Sequence, residues 1–265
     1  MNDLVILIRG AGEMATGVAV RLYRSNFRRI LMLENASPLA VRRSVSFCEA
    51  IHEKQMNVEG IEAVKVAGEA ETQVAWDAGR IPVRIDPMAE SVKIFRPDVL
   101  IDAILAKRNC GTTISAAPLV IALGPGFTAG GDCHVVVETN RGHYLGRLIT
   151  SGSAEADTGI PGTIGGHTKA RVLRAPAGGI FITARQIGEP VHKGELIGTV
   201  GSNQLHAEID GILRGLIRPG SKVTAGLKIG DIDPRCDVRY CSTVSEKARA
   251  LGGAVLEAIL AVYNR

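Results

Sequence analysis

The stretch LVILIRGAGEMATGVAVRLYRSNFRRILMLE, residues 4–34, decides the fold class. Its apolar run at 4–8 is typical of a strand buried on both faces. A GxGxxA pattern formed by Gly10, Gly12 and Ala15 follows, then a helical pattern and a second apolar run that ends in Glu34. This order predicts a βαβ unit with a phosphate at the helix N-terminus and a ribose hydroxyl on Glu34. The alternative is a glycine turn that only lets helix and strand pack closely.

Four further strand-like runs continue the pattern, at residues 81–85, 99–105, 119–123 and 134–137. Helical or loop segments lie between them. Alternating strands and helices predict an α/β fold, with a Rossmann-like, doubly wound parallel sheet over residues 1–150. The carboxyl ends of such strands meet along one edge, where we expect a ligand site.

Loops with charge and glycine follow these strands. Two cations beside small donors suit an oxyanion or a carboxylate, although a solvated surface turn also explains them. The glycines offer backbone N–H groups or simply end a strand, and Phe127 packs on a ring or on the core. The candidate cofactor-binding residues, besides Gly10, Gly12, Ala15 and Glu34, are Lys107, Arg108, Asn109, Gly111, Thr112, Gly124, Gly126, Phe127, Glu138, Arg141 and His143.

Three of these residues lie close enough in sequence for acid–base chemistry. Glu138 would be a base or hydroxyl acceptor, Arg141 an anion clamp and His143 a proton carrier. The alternative is a Glu138–Arg141 ion pair that shapes a loop, with His143 in solvent. No residue is assigned a catalytic role, and whether the chain is an enzyme stays open.

The second half of the chain has a different pattern. Residues 151–170, rich in Gly, Ser and Thr, predict a linker. Residues 171–234 repeat a strand–glycine–strand pattern at the offset between Gly179 and Gly211, which predicts a small all-β module resembling the biotinyl/lipoyl barrel-sandwich hybrid. Its hairpin at 201–207 has no lysine, so no biotin or lipoyl attachment is expected. Residues 235–265 predict a capped helix that packs on the first domain or on a partner subunit.

Composition narrows the class of protein. The net charge of +4 is mild and does not indicate a nucleic-acid partner. Five cysteines without CxxC spacing predict neither a disulfide framework nor a metal site. No apolar run reaches the roughly 20 residues of a membrane helix. We therefore expect a cytoplasmic protein with no membrane partner, and the choice between a monomer and a homo-oligomer stays open.

Several motifs give a family resemblance over most of the chain. They are RGAGEMATG (9–17), SVSFCEAI (44–51), LAKRN (105–109), LGPGF (123–127), ETNRGH (138–143) and GSAEADTGIPG (152–162). The chain resembles the YqeB family, accessory proteins of the selenium-dependent molybdenum hydroxylase system. The resemblance implies a maturation factor that binds a molybdopterin dinucleotide or a selenium donor at the sheet edge. Its partners would be the molybdenum hydroxylase or other maturation proteins.

The residues by themselves leave two other functions open. One is an NAD(P)-binding oxidoreductase, in which Glu34 favours NAD. The other is a non-catalytic scaffold in which the β module binds a partner. The cofactor candidates are therefore molybdopterin dinucleotide and NAD.

Overall fold

The computed structural model describes residues 3–264, which divide into two compact units. Unit 1 takes the residues up to Pro38, Ser46–Thr158 and the residues from Val244 onward. Unit 2 takes Leu39–Val45 and Gly159–Thr243. Each unit has its own sheets and its own buried core.

Unit 1 is built on a nine-stranded sheet with the order β3-β4-β5-β2-β1-β6-β7-β8-β9. Its strands are β1 (Val5–Arg9), β2 (Arg29–Glu34), β3 (Gln55–Val58), β4 (Ile61–Val66), β5 (Ile81–Ile85), β6 (Val99–Asp102), β7 (Leu119–Leu123), β8 (Val135–Val137) and β9 (Leu148–Ile149). The central strands are continuous apolar runs, and β7 is buried along its whole length. Burial on both faces explains why these runs carry no polar alternation.

The predicted Rossmann-like, doubly wound parallel sheet is wrong, because this sheet is mixed. Strand β3 pairs antiparallel with β4 at one edge, and β9 pairs antiparallel with β8 at the other. Glu59 and Gly60 make the first reversal, with φ of 50° and 84°, the positive values that a two-residue hairpin turn needs. The second reversal is closed by the Glu138 N–H, which donates to the Arg147 carbonyl at 2.9 Å.

The helices of unit 1 are α1 (Glu13–Arg24), α2 (Ala50–Glu53), α3 (Glu69–Asp77), α4 (Ser91–Phe95) and α5 (Glu246–Tyr263). Helices α1 and α5 approach each other closely. A Cβ on Gly17 would lie 2.6 Å from the Ala248 Cβ, and one on Gly252 would lie 2.8 Å from the Gly17 carbonyl oxygen. Glycine at both positions therefore permits the contact. Within residues 3–264, none of the helices has the length and apolar character that a bilayer crossing requires.

Unit 2 contains two four-stranded antiparallel sheets, ordered β10-β17-β15-β12 and β14-β13-β11-β16. Their strands are β10 (Val172–Arg174), β11 (Gly179–Ile182), β12 (Pro190–Val191), β13 (Leu196–Val200), β14 (Asn203–His206), β15 (Gly211–Leu216), β16 (Lys222–Val223) and β17 (Lys228–Asp233). The repeated glycines share backbone conformations, with φ of 156° at Gly179 and 158° at Gly211.

The prediction of a barrel-sandwich hybrid is wrong, because unit 2 contains two separate antiparallel sheets. Two of the eight strands, β12 and β16, are only two residues long. Register shifts also interrupt the β10–β17, β13–β14 and β15–β17 pairs. Among the strand pairs of the described residues, none joins one sheet to the other, so the repeat does not close into one barrel.

A buried ion cluster lies within unit 2. The Arg214 guanidinium donates to the Asp231 carboxylate at 2.7 and 2.9 Å, and Arg171 donates to the other oxygen of Asp231. Burial opposes the charge of Asp231, but Lys228, Arg214 and Arg171 outweigh it and hold the pKa of that carboxyl below its usual range. Asp231 therefore has counter-ions on both oxygens, and removing one of these partners would leave a buried charge uncompensated.

Candidate functional site

The glycine loop after β1 binds a carboxylate of its own chain. The Ala11 N–H donates to Glu34 Oε2 at 2.9 Å, and Glu34 Oε1 accepts from the Asn35 N–H at 2.8 Å. Gly10 has φ of 94°, and a Cβ there would lie 3.0 Å from the Ala103 carbonyl oxygen. Glycine at position 10 therefore permits the close approach to Ala103. The Glu34 carboxylate occupies the Ala11 N–H, a donor that a dinucleotide phosphate would use. Nucleotide binding at this loop stays a prediction.

The two other residues of this motif lie on α1. Gly12 precedes the first turn in an extended conformation, with open space where a side chain would be. Ala15 is fully buried inside the helix. Neither residue offers a side-chain group to a ligand.

A buried cation fills the centre of the sheet's carboxyl-terminal edge. Arg9 is only 4% exposed, and its Nη1 donates to Thr112 Oγ1 at 2.6 Å and lies 3.4 Å from Asp102 Oδ2. Its Nη2 donates to the Cys110 carbonyl at 2.9 Å. Thr112 Oγ1 donates to Asp102 Oδ2 at 2.6 Å. We call Arg9, Asp102 and Thr112 the Arg9 cluster. The sequence signal for it was one arginine at the end of a buried strand.

The loop that follows β6 is shaped by its own side chains. Asn109 Oδ1 accepts from the N–H groups of Gly111 and Thr112 at 2.9 and 2.8 Å. Asn109 Nδ2 donates to the Thr112 carbonyl at 2.8 Å. Gly111 has φ of 93°, which favours glycine. Asn109 therefore holds the loop that delivers Thr112 to Arg9.

The glycines after β7 allow close backbone contacts. A Cβ on Gly126 would lie 2.5 Å from the Arg108 Cα, and one on Gly124 would lie 2.6 Å from Thr139 Oγ1. Phe127 is 4% exposed and belongs to the buried core beneath the sheet. These residues position loops, and the Phe127 ring packs on the core.

Glu138, Arg141 and His143 are not brought together as an acid–base group. The Glu138 carboxylate is buried and accepts from the N–H groups of Asn140 and Glu155 at 2.7 and 2.8 Å. Arg141 pairs with Glu246 in the first turn of α5. The exposed His143 ring lies against Tyr144, with centroids 5.0 Å apart.

Arg141 and its partner Glu246 lie beside a lysine, Lys247, that the sequence pattern did not indicate. Lys247 lies in the first turn of α5 and is half-buried. Its ammonium has no hydrogen bond or ion pair with any residue of the described range. Burial lowers the pKa of Lys247, and the charge of Arg141 adds to this, whereas Glu13, Glu138 and Asp157 act in the opposite direction.

The carboxylates around Lys247 are engaged by other donors. Ser245 Oγ donates to Glu13 Oε1 at 2.7 Å, which joins the first turns of α5 and α1. Lys107 Nζ lies 2.5 Å from Asp157 Oδ2. Glu138 is held by backbone N–H groups, as described above. We call Lys247, Arg141, Glu13, Glu138 and Asp157 the Lys247 site. Of the predicted residues, Glu138 and Arg141 belong to it, and Lys107 reaches it through Asp157.

No metal site accompanies these groups. Across residues 3–264, no group of three or more His, Cys, Asp or Glu side chains could hold a metal ion. The five cysteines are free thiols. Burial and the charge of Asp132 raise the pKa of Cys133 to about 11, so this thiol stays protonated at neutral pH.

Comparison with solved structures gives weak likenesses. A succinylglutamate desuccinylase/aspartoacylase from Rhodobacter sphaeroides is 28% identical over 24% of this chain and 22% of that chain, with a TM-score of 0.22. An aspartoacylase family protein from Mesorhizobium loti is 13% identical over 86% of this chain and 84% of that chain, with a TM-score of 0.28. A succinylglutamate desuccinylase from Silicibacter is 13% identical over the same shares, with a TM-score of 0.26.

TM-scores in this range do not establish a shared fold. These neighbours are described as aspartoacylase and desuccinylase proteins, and not as molybdenum or selenium proteins. The predicted molybdenum-cofactor and selenium protein finds no counterpart among the names of these neighbours.

A curated relative gives a much stronger match. No family model matches the chain. The uncharacterized protein YqeB of Escherichia coli strain K12 is 46% identical over 261 residues, which cover 98% of this chain and 48% of that protein. The chain thus spans about half the length of this relative. The similarity extends over nearly the whole chain and supports its place in the YqeB family.

Proposed function

We propose that unit 1 binds a small anion, a carboxylate or a phosphate, at the Lys247 site. The observation that carries this proposal is the half-buried ammonium of Lys247, which has no partner among the described residues. A buried charge without a partner is costly. A ligand anion would supply a charge-assisted hydrogen bond worth about 1.5–3 kcal/mol, which offsets that cost.

The surroundings favour an anion over a cation. Glu13, Glu138 and Asp157 interact electrostatically with Lys247, and Ser245, backbone N–H groups and Lys107 engage oxygens of these carboxylates. Each of these carboxylates therefore already has at least one donor, whereas the Lys247 ammonium has no partner among residues 3–264. The first turn of α5 also carries the partial positive charge of a helix N-terminus, which adds to the charges of Lys247 and Arg141.

Calorimetric titration at low salt tests this proposal. Inorganic phosphate and lactate are titrated into the intact chain, into Lys247→Met and into Lys193→Met. Lys193 is an exposed lysine of unit 2 and serves as the matched control. We expect Lys193→Met to bind like the natural chain, and Lys247→Met to bind roughly 10- to 100-fold more weakly, because every 1.4 kcal/mol is tenfold in affinity.

Two results would overturn the proposal. One is a natural chain that binds neither phosphate nor lactate. The other is Lys247→Met with the affinity of the Lys193→Met control.

A second proposal rests on the resemblance of the sequence motifs to the YqeB family, since the 46% identical YqeB protein is itself uncharacterized. The chain would act as an accessory factor for a partner enzyme of the selenium-dependent molybdenum hydroxylase system. An accessory factor need not hold the metal or the selenium of its partner. Hydroxylase activity in a strain that lacks the chain tests this role. Normal activity in that strain would contradict it, and activity lost and then restored by the natural chain would support it.

A further inference from the structure

We infer that Lys247 is a nucleophilic amine, which forms an imine with the carbonyl carbon of a small keto acid or aldehyde acid bound at the Lys247 site. This inference rests on the anion site proposed above, because the ligand's acid group is what would bring its carbonyl to the lysine.

Lys247 differs from the other lysines in its surroundings. Two lysines are half-buried, Lys228 and Lys247, and the others of the described range are exposed. The Lys228 ammonium lies 3.6 Å from Asp231 Oδ1, so it has a counter-ion that favours the charged form. Lys247 combines burial with the absence of such a partner. It is therefore the lysine whose nitrogen lone pair is most easily freed.

Charged groups on every neighbouring element affect this amine. Burial lowers the pKa of Lys247, and Arg141 adds to this from the loop after β8. The N-terminus of α5 acts in the same direction, because its partial positive charge disfavours a second cation. Glu13 from α1, Glu138 from the end of β8 and Asp157 favour the charged amine, and the net direction is a lowered pKa. A desolvated lysine next to another cation is a known arrangement for an activated amine.

The reaction balances without a redox partner. The neutral nitrogen of Lys247 attacks the carbonyl carbon, so that a C–N bond forms and the carbonyl π bond breaks. The oxygen takes a proton from water, and the nitrogen gives one proton to the resulting hydroxide. The resulting carbinolamine loses that hydroxyl together with a proton from nitrogen, as one molecule of water. An amine and a carbonyl thus become an imine and water, and no electrons are gained or lost.

Reductive trapping tests the inference on the intact chain. The protein is incubated with pyruvate and sodium cyanoborohydride near neutral pH, and the modified lysines are mapped by peptide mass spectrometry. We expect Lys247 to carry severalfold more adduct than Lys193 or Lys228, because the neutral fraction of an amine rises as its pKa falls, and the pKa of Lys247 is lowered. Lysines labelled to the same extent would overturn the inference.

Two controls separate this inference from the anion site. Lactate has the carboxylate of pyruvate but no carbonyl, so it reports binding alone. Lactate binding without a pyruvate adduct would overturn imine formation and leave the anion site intact. The absence of both lactate binding and a pyruvate adduct would overturn both proposals. Lys193→Arg, a matched exchange at an exposed lysine of unit 2, should retain lactate binding and the adduct on Lys247. Lys247→Arg has no nucleophilic amine, so we expect it to form no adduct at this position. An adduct distribution in Lys247→Arg equal to that of the natural chain would contradict the assignment.

Discussion

Two cations of unit 1, the buried Arg9 and the half-buried Lys247, are in contrasting states. Both terminal nitrogens of Arg9 have oxygen partners, from Asp102, Thr112 and the backbone. Lys247 is less buried, yet its ammonium has no partner within residues 3–264. The difference teaches that the paired cation organises loops, whereas the unpaired one is available to a ligand.

Arg9→Met removes the paired cation of the Arg9 cluster. It leaves the Asp102 carboxylate buried without its cation, and we expect a loss of about 3–5 kcal/mol in the free energy of unfolding. Urea unfolding followed by the fluorescence of Trp76, a residue of unit 1, measures it. The double variant Arg9→Met with Asp102→Asn should recover part of the loss, since it removes both charges. A loss below about 1 kcal/mol in the single variant would show that the cluster is not structural.

Gly126→Ala tests the loop packing beside the Arg9 cluster. Gly130→Ala is the matched control, since Gly130 has a positive φ of 87° but open space around it. Both variants should lose about 1–2 kcal/mol from left-handed strain. Gly126→Ala should lose about 1–3 kcal/mol more, because its Cβ would meet the Arg108 backbone at 2.5 Å. Equal losses in urea unfolding would contradict the close contact.

Acid titration extends the comparison to the paired cluster of unit 2. Despite burial, hydrogen bonds from Arg235 and the charge of Arg214 lower the pKa of Asp233, and the pKa of Asp231 is lowered as well. Their stabilisation is therefore complete above the unfolded value of about 3.9 and is lost as the pH falls through the folded values. Each carboxylate contributes about 1.4 kcal/mol for every unit by which folding lowers its pKa. Urea unfolding of unit 2, followed by circular dichroism at decreasing pH, should show this loss below about pH 4, and a flat profile would contradict it.

Lys247→Met should have the smallest effect on stability. We expect a change within about 0.5 kcal/mol at neutral pH, because no hydrogen bond or ion pair is lost. The folded state binds fewer protons than the unfolded state between the lowered pKa of Lys247 and the unfolded value of about 10.4, so this lysine makes stability rise with pH over that range. The variant should lack that rise in thermal unfolding at alkaline pH. A loss above about 1 kcal/mol would mean that Lys247 has a structural partner.

Part of the fold could be predicted from the sequence for a clear reason. Strands β5 and β7 coincide with the apolar runs at 81–85 and 119–123, because strands covered on both faces leave a continuous apolar pattern. The edge strands could not be found this way. In β3 only Val58 is buried, and a turn at Glu59 and Gly60 makes it antiparallel to β4. This strand therefore leaves no apolar run, and the sheet was predicted to be parallel throughout.

The site was harder to predict for a different reason. The sequence shows which loops carry glycine and charge, but it does not show whether their donors bind a ligand or the chain itself. The Ala11 N–H binds Glu34, and Asn109 binds its own loop. Lys247 could not be predicted as a site residue, because the absence of a hydrogen-bond or ion-pair partner is visible only in the three-dimensional structure. Its only sequence signal was a place in a capped first turn.

The three-segment construction of unit 1 has a consequence for biosynthesis. The hydrogen bond from Ser245 to Glu13 joins positions 232 residues apart. A ribosome adds α5 only after the residues of unit 2 have been made, so a nascent chain already contains Arg9, Asp102 and Thr112 while it still lacks the amine of Lys247. Closing such a distant contact is entropically costly and slow. Lys247 therefore joins unit 1 only after unit 2 has been synthesised, and a chain that terminates before residue 247 lacks this amine.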